Sequence, residues 1–181
     1  MKRGDNLEVV RVVTGLLDEN CYVLKDKGKA IIVDPGDDYN KINAAIGDNK
    51  VLGVLITHSH FDHIGALRNF LVKKGIKIYK KSNLDDNKMY EIGDFKFKCL
   101  YTPGHSSDSV SFYFKEDKAM FVGDFLFKGS IGRCDLPTGS ITDMNNSIAR
   151  ITQYDDDTIL YTGHYDITNL GDEKKNNPYL K

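Results

Sequence analysis

The chain has few of the features that mark secreted, membrane-bound or nucleic-acid-binding proteins. Its three cysteines are odd in number, far apart and without CxxC spacing, which argues against a disulfide framework and predicts a protein of the reducing cytoplasm. No apolar run is long enough for a signal peptide or a membrane span, because Val9–Val13 is short and is interrupted by Arg11. The net charge of −1 provides no basic surface for nucleic acid.

Low-complexity segments and linkers are also missing, and proline is rare, at four residues in 181. With 40% hydrophobic residues, this composition predicts a compact globular protein, and we expect one domain over residues 1–181. Strands are predicted at Leu7–Thr14, Asn20–Lys25, Lys29–Asp34, Val51–Thr57, Ile76–Lys80, Phe95–Tyr101, Ser109–Phe114, Lys118–Val122 and Thr158–Thr162. Helices are predicted at Asp38–Ile46, at Asp62–Lys74 with Gly75 as its C-cap, and at Ile141–Thr152. This order predicts an α/β fold in which two sheets pack face to face with helices outside.

All five histidines lie in three short motifs, and each motif follows a predicted strand. His58, His60 and His63 share the segment Thr57–His63 with Asp62. Residues two apart in an extended segment point the same way, so His58 and His60 can bind one metal, while Asp62 and His63 can face a second. Imidazole and carboxylate ligands suit zinc. Asp62 alone is also typical of a helix N-cap, but the four residues at this spacing indicate a metal site.

Three further residues of metal-binding type each follow another predicted strand. His105 ends the segment Thr102–His105, and Asp124 follows the apolar run Ala119–Gly123. His164 follows Thr162 and Gly163. Two of them have an alternative interpretation, since His105 is also typical of a turn and Asp124 also begins turns. Because four separate strand ends offer such ligands, the sequence favours one shared site.

These motifs resemble those of the metallo-β-lactamase fold superfamily, and are most similar to the short glyoxalase II-type hydrolases. The resemblance includes Asn20–Tyr22, Val33–Gly36, Thr57–His63, Thr102–His105, Gly123–Phe127, Gly132–Asp135, Gly163–His164 and Asn177–Leu180. It implies a four-layer αβ/βα sandwich, with two mixed sheets flanked by helices and the site at one edge.

The resemblance also implies a cofactor of two divalent metal ions, with zinc as the first candidate and iron or manganese as alternatives. The implied ligands are His58, His60 and His105 for one metal, Asp62, His63 and His164 for the other, and Asp124 as the bridge. Asp62 and Asp124 are accordingly the expected catalytic residues.

The expected chemistry follows from the metals and from the histidines. Metal coordination lowers the pKa of water to about 7, so we expect a hydroxide that bridges the metals to attack a substrate carbonyl. If all five histidines are ligands, none remains as a general acid. A thiolate leaves without prior protonation more readily than an alkoxide or an amide, because a thiol pKa is about 8.5. A small-molecule thioester is therefore the expected substrate, and the resemblance implies one of the S-2-hydroxyacylglutathione type or a related thioester.

Arg133 is the candidate for binding a substrate carboxylate, because relatives place a basic residue here against the glutathione part. An ion pair with Asp135 or Asp143 is the alternative interpretation of Arg133. Asp34 is expected to support the site or to fix its own turn, and Cys134 is not expected to be a ligand.

Two rival functions remain open. A persulfide dioxygenase-like protein would bind a single iron through His58, His105 and Asp124. A non-catalytic binding module would use the metals for stability alone, although structural zinc sites are usually closed and rich in cysteine. The chain departs from the usual pattern at Tyr165, where relatives commonly have glycine after the last histidine, and at Ser106–Asp108, where relatives often have Thr-Pro-Gly after the fourth histidine.

Overall fold

A computed structural model describes residues 7–73 and 75–181 and shows two large β-sheets packed face to face. The first sheet has five strands in chain order, namely β1 (Glu8–Thr14), β2 (Glu19–Asp26), β3 (Lys29–Val33), β4 (Lys50–Leu55) and β5 (Lys77–Tyr79). Strands β1 to β3 are antiparallel, whereas β3, β4 and β5 run parallel. The carboxyl ends of β3, β4 and β5 therefore lie at the same edge of the sheet.

The second sheet has six strands in the order β13-β12-β9-β8-β7-β6. Its strands are β6 (Met89–Ile92), β7 (Phe95–Tyr101), β8 (Val110–Phe114), β9 (Ala119–Gly123), β12 (Ile159–Thr162) and β13 (Thr168–Asn169). A small hairpin, β10 (Leu126–Phe127) and β11 (Ser130–Ile131), follows β9. Only β9 and β12 pair in parallel among the strands that the structure describes in this sheet.

Helices cover the outer face of each sheet and complete four layers. They are α1 (Tyr39–Ile46), α2 (Phe61–Ile64), α3 (Leu67–Leu71), α4 (Ile141–Ile151) and α5 (Leu170–Asn176). Ile42 of α1 and Phe70 of α3 pack on the first sheet, while Met144 and Ile148 of α4 pack on the second. This arrangement confirms the expected sandwich of two mixed sheets flanked by helices.

The alternation of side chains along β2 shows how one strand serves two cores. Tyr22 and Leu24 face the second sheet and join an aromatic-rich core, whereas Cys21 and Val23 face the helices. All four side chains are buried, because the strand is covered on both faces. Phe97 lies in the same aromatic-rich core and places its ring against several other aromatic rings.

The single helix predicted at Asp62–Lys74 is wrong, because the chain forms two short helices there. The backbone N–H of Ala66 donates to the carbonyls of Pro35 and Gly36 at 3.0 and 2.9 Å, which interrupts the helical hydrogen bonds. The second helix ends at Leu71, so Gly75 is not its C-cap, and Lys74 lies outside the described residues.

Smaller departures have local causes. Ile141, predicted on the apolar face of α4, is 56% exposed. It is the first residue of the helix, and the buried residues of α4 begin at Met144. Four short strands were not predicted, namely β6, β10, β11 and β13, since two to four residues of β-structure leave little periodicity. The helix α5 was not predicted either. Within residues 7–73 and 75–181, no helix has the length and apolar character needed to cross a membrane.

Candidate metal centre

The seven candidate ligands converge where strands of both sheets end. His58, His60, Asp62 and His63 follow β4 of the first sheet. The other three, His105, Asp124 and His164, follow β7, β9 and β12 of the second sheet. The site therefore lies at the shared edge of the sandwich, where loops are held by rigid strands on both sides.

Three histidines form the first group of possible ligands. His60 Nδ1 lies 3.1 Å from His58 Nε2 and 3.0 Å from His105 Nε2. A tetrahedral zinc with Zn–N bonds of about 2.0–2.1 Å separates its ligand nitrogens by about 3.3 Å. The three nitrogens are thus spaced as ligands of one metal.

Asp62, His63 and His164 form the second group. Asp62 Oδ2 lies 3.3 Å from His164 Nε2 and 3.7 Å from His63 Nε2. All three ligand atoms are within 4.8 Å of one another. This group offers one carboxylate and two imidazoles, which is a second donor set suited to zinc or to iron.

Asp124 lies between the two groups. Its Oδ2 is 3.6 Å from His105 Nε2 and 3.5 Å from His164 Nε2, and its Oδ1 is 3.3 Å from His63 Nε2. Within the described part of the chain, His63 Nε2 and Asp124 Oδ1 are buried without a hydrogen-bond partner. Buried polar atoms normally have a partner, so these two atoms fit a bound cation that contacts both.

The outer ring nitrogens of four histidines are held by hydrogen bonds that leave Nε2 facing the site. The partners of Nδ1 are Thr57 Oγ1 for His58, Asp34 Oδ2 for His63, the Arg133 carbonyl for His105 and the Leu17 carbonyl for His164. A carbonyl only accepts, so Nδ1 carries the proton in the last two cases and Nε2 is free to bind a metal.

Asp34 organises the buried side of the site. Its Oδ1 accepts from the backbone N–H of Thr57 at 2.7 Å, and its Oδ2 accepts from the Thr57 hydroxyl at 2.5 Å. Because that hydroxyl donates to Asp34, it accepts from His58 Nδ1. Asp34 thus contacts both Thr57 and His63, and with His58 and His63 it forms a third group of possible ligand atoms within 4.8 Å of one another. Thr57 was not predicted, although it opens the motif that contains the candidate ligands.

Electrostatics differ between the two groups. Burial, followed by the charge of His63, lowers the pKa of His58 well below its ordinary value and favours the neutral, ligating form. Burial opposes charge on His63 as well, but Asp124 and Asp34 raise the pKa of this histidine well above its ordinary value. Burial would raise the pKa of Asp124, yet His63 keeps it low and the carboxylate charged. A metal ion bound at His63 would take the place of a proton.

Two glycines near the candidate ligands lie so close to other side chains that a Cβ would not fit. A Cβ on Gly163 would collide with Asp124 Oδ1 and with the ring of His63. Gly123 has a φ of 52° and lies against the Thr57 side chain, so a Cβ there would be strained and would also collide. Glycine at these positions lets the ends of β9 and β12 approach the ligands.

Asp108 ties together the loops that carry His60 and His105. Its Oδ2 accepts from the N–H and the hydroxyl of Ser59 at 3.1 and 2.6 Å, and its Oδ1 accepts from Ser106 Oγ at 2.8 Å. Asp108, which departs from the family pattern, thus connects the two loops that carry candidate ligands by hydrogen bonds.

Arg133 borders the cleft that opens onto the metal centre. Its guanidinium makes two hydrogen bonds to Asp135, both of 2.7 Å, so the alternative ion pair is formed. Both side chains are exposed, and an exposed pair of this kind contributes little stability. Cys134 donates to the Gly132 carbonyl and, within residues 7–73 and 75–181, is in none of the ligand groups.

A family model of the metallo-beta-lactamase superfamily matches residues 14–100 and 90–164. The chain belongs to this superfamily. It is 29% identical to the hydroxyacylglutathione hydrolase GloC of Haemophilus influenzae, over 97% of this chain and 98% of the relative.

Two solved structures have the same fold. The B3 metallo-beta-lactamase BLEG-1 is 32% identical, with a TM-score of 0.91, over 96% of this chain and 100% of that chain. The di-iron-bound form of TTHA1623 is 30% identical with a TM-score of 0.85, over 95% and 100% of the two chains. Proteins of this superfamily bind divalent metals, and the histidine-rich groups of this chain are suited to them.

Proposed function

We propose that the protein is a binuclear metal-dependent hydrolase that cleaves thioesters of the S-2-hydroxyacylglutathione type. The observation that carries the proposal is Asp124, whose Oδ2 lies at almost the same distance from His105 Nε2 and His164 Nε2, 3.6 and 3.5 Å. One carboxylate between two complete ligand groups is the arrangement expected of a bridged pair of cations. Zinc is the first candidate, and iron or manganese are the alternatives.

When bound, two divalent metals would polarise a carbonyl and provide a water with a pKa of about 7. The chain's own residues hold the ligand geometry. Asp34 and the carbonyls of Leu17 and Arg133 orient the histidines. In the metal-free site, burial would raise the pKa of Asp62 and Asp124, but neighbouring histidines lower it, so both carboxylates are charged and ready to act as ligands.

The absence of a spare histidine supports a thioester as the substrate. All five histidines of the chain lie in the two ligand groups, so none is left to protonate a leaving group. A thiolate departs without that help because a thiol pKa is about 8.5. The similarity to GloC, a hydroxyacylglutathione hydrolase, supports the same substrate class.

The second ligand group disfavours a protein that uses one iron. A centre built from His58, His105 and Asp124 alone would leave the buried His63 Nε2 without a partner. An unsatisfied buried nitrogen costs roughly 1–3 kcal/mol. Cleavage of β-lactams is the second activity to measure, because BLEG-1, named as a metallo-beta-lactamase, is similar over its whole length.

The proposed function is tested by three assays on protein reconstituted with zinc, iron or manganese. We expect hydrolysis of S-lactoylglutathione, no oxygen consumption with glutathione persulfide, and little turnover of a chromogenic cephalosporin. Asp124→Ala should abolish thioester hydrolysis and lower bound metal while the fold persists by circular dichroism. The matched control, Asp48→Ala, removes an exposed carboxylate and should retain activity. Full activity in Asp124→Ala would refute the bridged centre.

A further inference from the structure

Tyr165 follows the last metal ligand in a backbone conformation that a bulky side chain rarely adopts. Its φ is 63°, in the left-handed region that favours glycine. Its side chain is nevertheless 74% exposed, so burial of the ring does not offset the strain. Strained residues of this kind concentrate at functional sites.

Hydrogen bonds fix this conformation. The Tyr165 carbonyl accepts from Asn20 Nδ2 at 2.9 Å and from Arg11 at 3.2 Å. The carbonyls of residues 162, 163, 164 and 166 accept hydrogen bonds as well. The segment is therefore held in place, and the ring of Tyr165 projects from a rigid support.

The ring projects into the cleft beside His164, where two other apolar side chains lie. It makes an edge-to-face contact with Phe127, with ring centroids 5.4 Å apart. Leu17, whose carbonyl binds His164 Nδ1, lines the same cleft and is half-exposed. Tyr165, Phe127 and Leu17 together form an apolar wall on the His164 side of the metal centre.

Arg133 lines the opposite end of the cleft, and its backbone carbonyl there binds His105 Nδ1 at 2.9 Å. Its guanidinium is paired with Asp135 through two hydrogen bonds of 2.7 Å, so a substrate carboxylate would compete with Asp135 for it. Asp124 Oδ2 lies between His105 and His164, at 3.6 and 3.5 Å from their Nε2 atoms. A substrate that spans the cleft thus meets the Arg133–Asp135 pair at one end, the metal centre in the middle and the apolar wall at the other end.

We propose that Tyr165 determines substrate selectivity by packing against an apolar acyl group, while a carboxylate of the thiol part lies toward Arg133. The preferred substrates are thioesters that join an alkyl or aryl acyl group to an anionic thiol. The proposal rests on the proposed thioester hydrolysis. An aromatic ring suits this role because it offers a large, rigid apolar face.

Binding of thioethers tests the proposal without hydrolysis. Calorimetry would compare S-methylglutathione with S-hexylglutathione, whose hexyl chain stands in for the acyl group, on zinc-loaded protein. We expect the hexyl compound to bind about tenfold more tightly or better, since each buried methylene strengthens binding. Tyr165→Gly should lose most of this preference, and Tyr165→Phe should keep it. Arg133→Ala should weaken both compounds by a similar factor and leave their ratio unchanged.

Lys27→Gly is the matched control for the backbone change, because Lys27 has a φ of 49° in the β2–β3 turn, away from the cleft. It should leave the preference intact. Equal binding of the two thioethers by the wild-type protein, or an unchanged preference in Tyr165→Gly, would overturn the proposal. With S-mandeloylglutathione, Tyr165→Gly should raise KM far more than it lowers kcat. Failure to hydrolyse any thioester would remove the proposed function, yet the thioether measurements would still decide the role of Tyr165.

Discussion

At the residue scale, His63 depends most on its neighbours. Its side chain is 0% exposed, and its outer nitrogen lies 3.1 Å from Asp34 Oδ2. The same carboxylate holds Thr57, which in turn contacts His58 Nδ1. One side chain outside the ligand set thus orients a histidine of each ligand group.

We expect Asp34→Ala to weaken metal binding by roughly 10–100-fold, because the rings of His63 and His58 lose the contacts that orient them. Competition with a chromogenic chelator measures this affinity. Asp37→Ala, which removes an exposed carboxylate three residues further on, should leave the affinity unchanged. Equal affinities in Asp34→Ala and the wild-type protein would show that the ligands are oriented without Asp34.

The cysteines give a residue-scale prediction that is independent of the metals. Cys21 and Cys99 are both 0% exposed, and burial raises the pKa of Cys99 to about 12. Since the thiolate is the reactive form, neither should react with a disulfide reagent at pH 8 in the folded protein. Cys134, which is partly exposed, should react first. Titration of thiols before and after denaturation tests this, and rapid reaction of two or more thiols in the native protein would contradict it.

At the scale of elements, the strands position the ligands through their close approach. Gly163 follows β12 and lies against Asp124 and His63 without room for a Cβ. The N–H of Gly163 also donates to the Gly123 carbonyl at 2.8 Å, which joins the ends of β12 and β9. The positions of Asp124 and His164 therefore depend on the close contact between the ends of the parallel strands β9 and β12.

Gly163→Ala should therefore displace Asp124 and His63 and lower both metal content and thioester hydrolysis. Gly47→Ala is the matched control, since Gly47 has a φ of 59° but open space around it. We expect the control to lose about 1–2 kcal/mol of stability from backbone strain and to keep its metals. Metal analysis and urea unfolding distinguish the two variants. Full metal content in Gly163→Ala would mean that the site tolerates a wider separation of these strands.

The elements that sequence reasoning located are those with a strong local pattern. The strand at Phe95–Tyr101 alternates apolar and polar residues, and its bounds agree with the structure. The helix expected at Asp62–Lys74 has apolar spacing over its whole length, yet it is interrupted where Ala66 bonds to Pro35 and Gly36. That contact joins segments some thirty residues apart, so the local spacing of apolar residues cannot predict it.

At the scale of the whole molecule, the candidate site joins the two sheets. Residues after β4 supply His58, His60, Asp62 and His63, and strands of the second sheet supply the remaining candidates. The sequence predicted all seven candidates because the motifs resemble a known family. It did not predict that the carbonyls of Leu17 and Arg133 orient the histidines, because backbone contacts leave no trace in residue type.

In the proposed site, two metals bind per chain and Asp124 lies between them. Metal stoichiometry, measured by elemental analysis after reconstitution with zinc and removal of excess metal, tests this most directly. We expect two equivalents per chain in the wild-type protein and one or fewer in Asp124→Ala. A wild-type protein saturated by one metal ion, with Asp124→Ala binding the same amount, would contradict it.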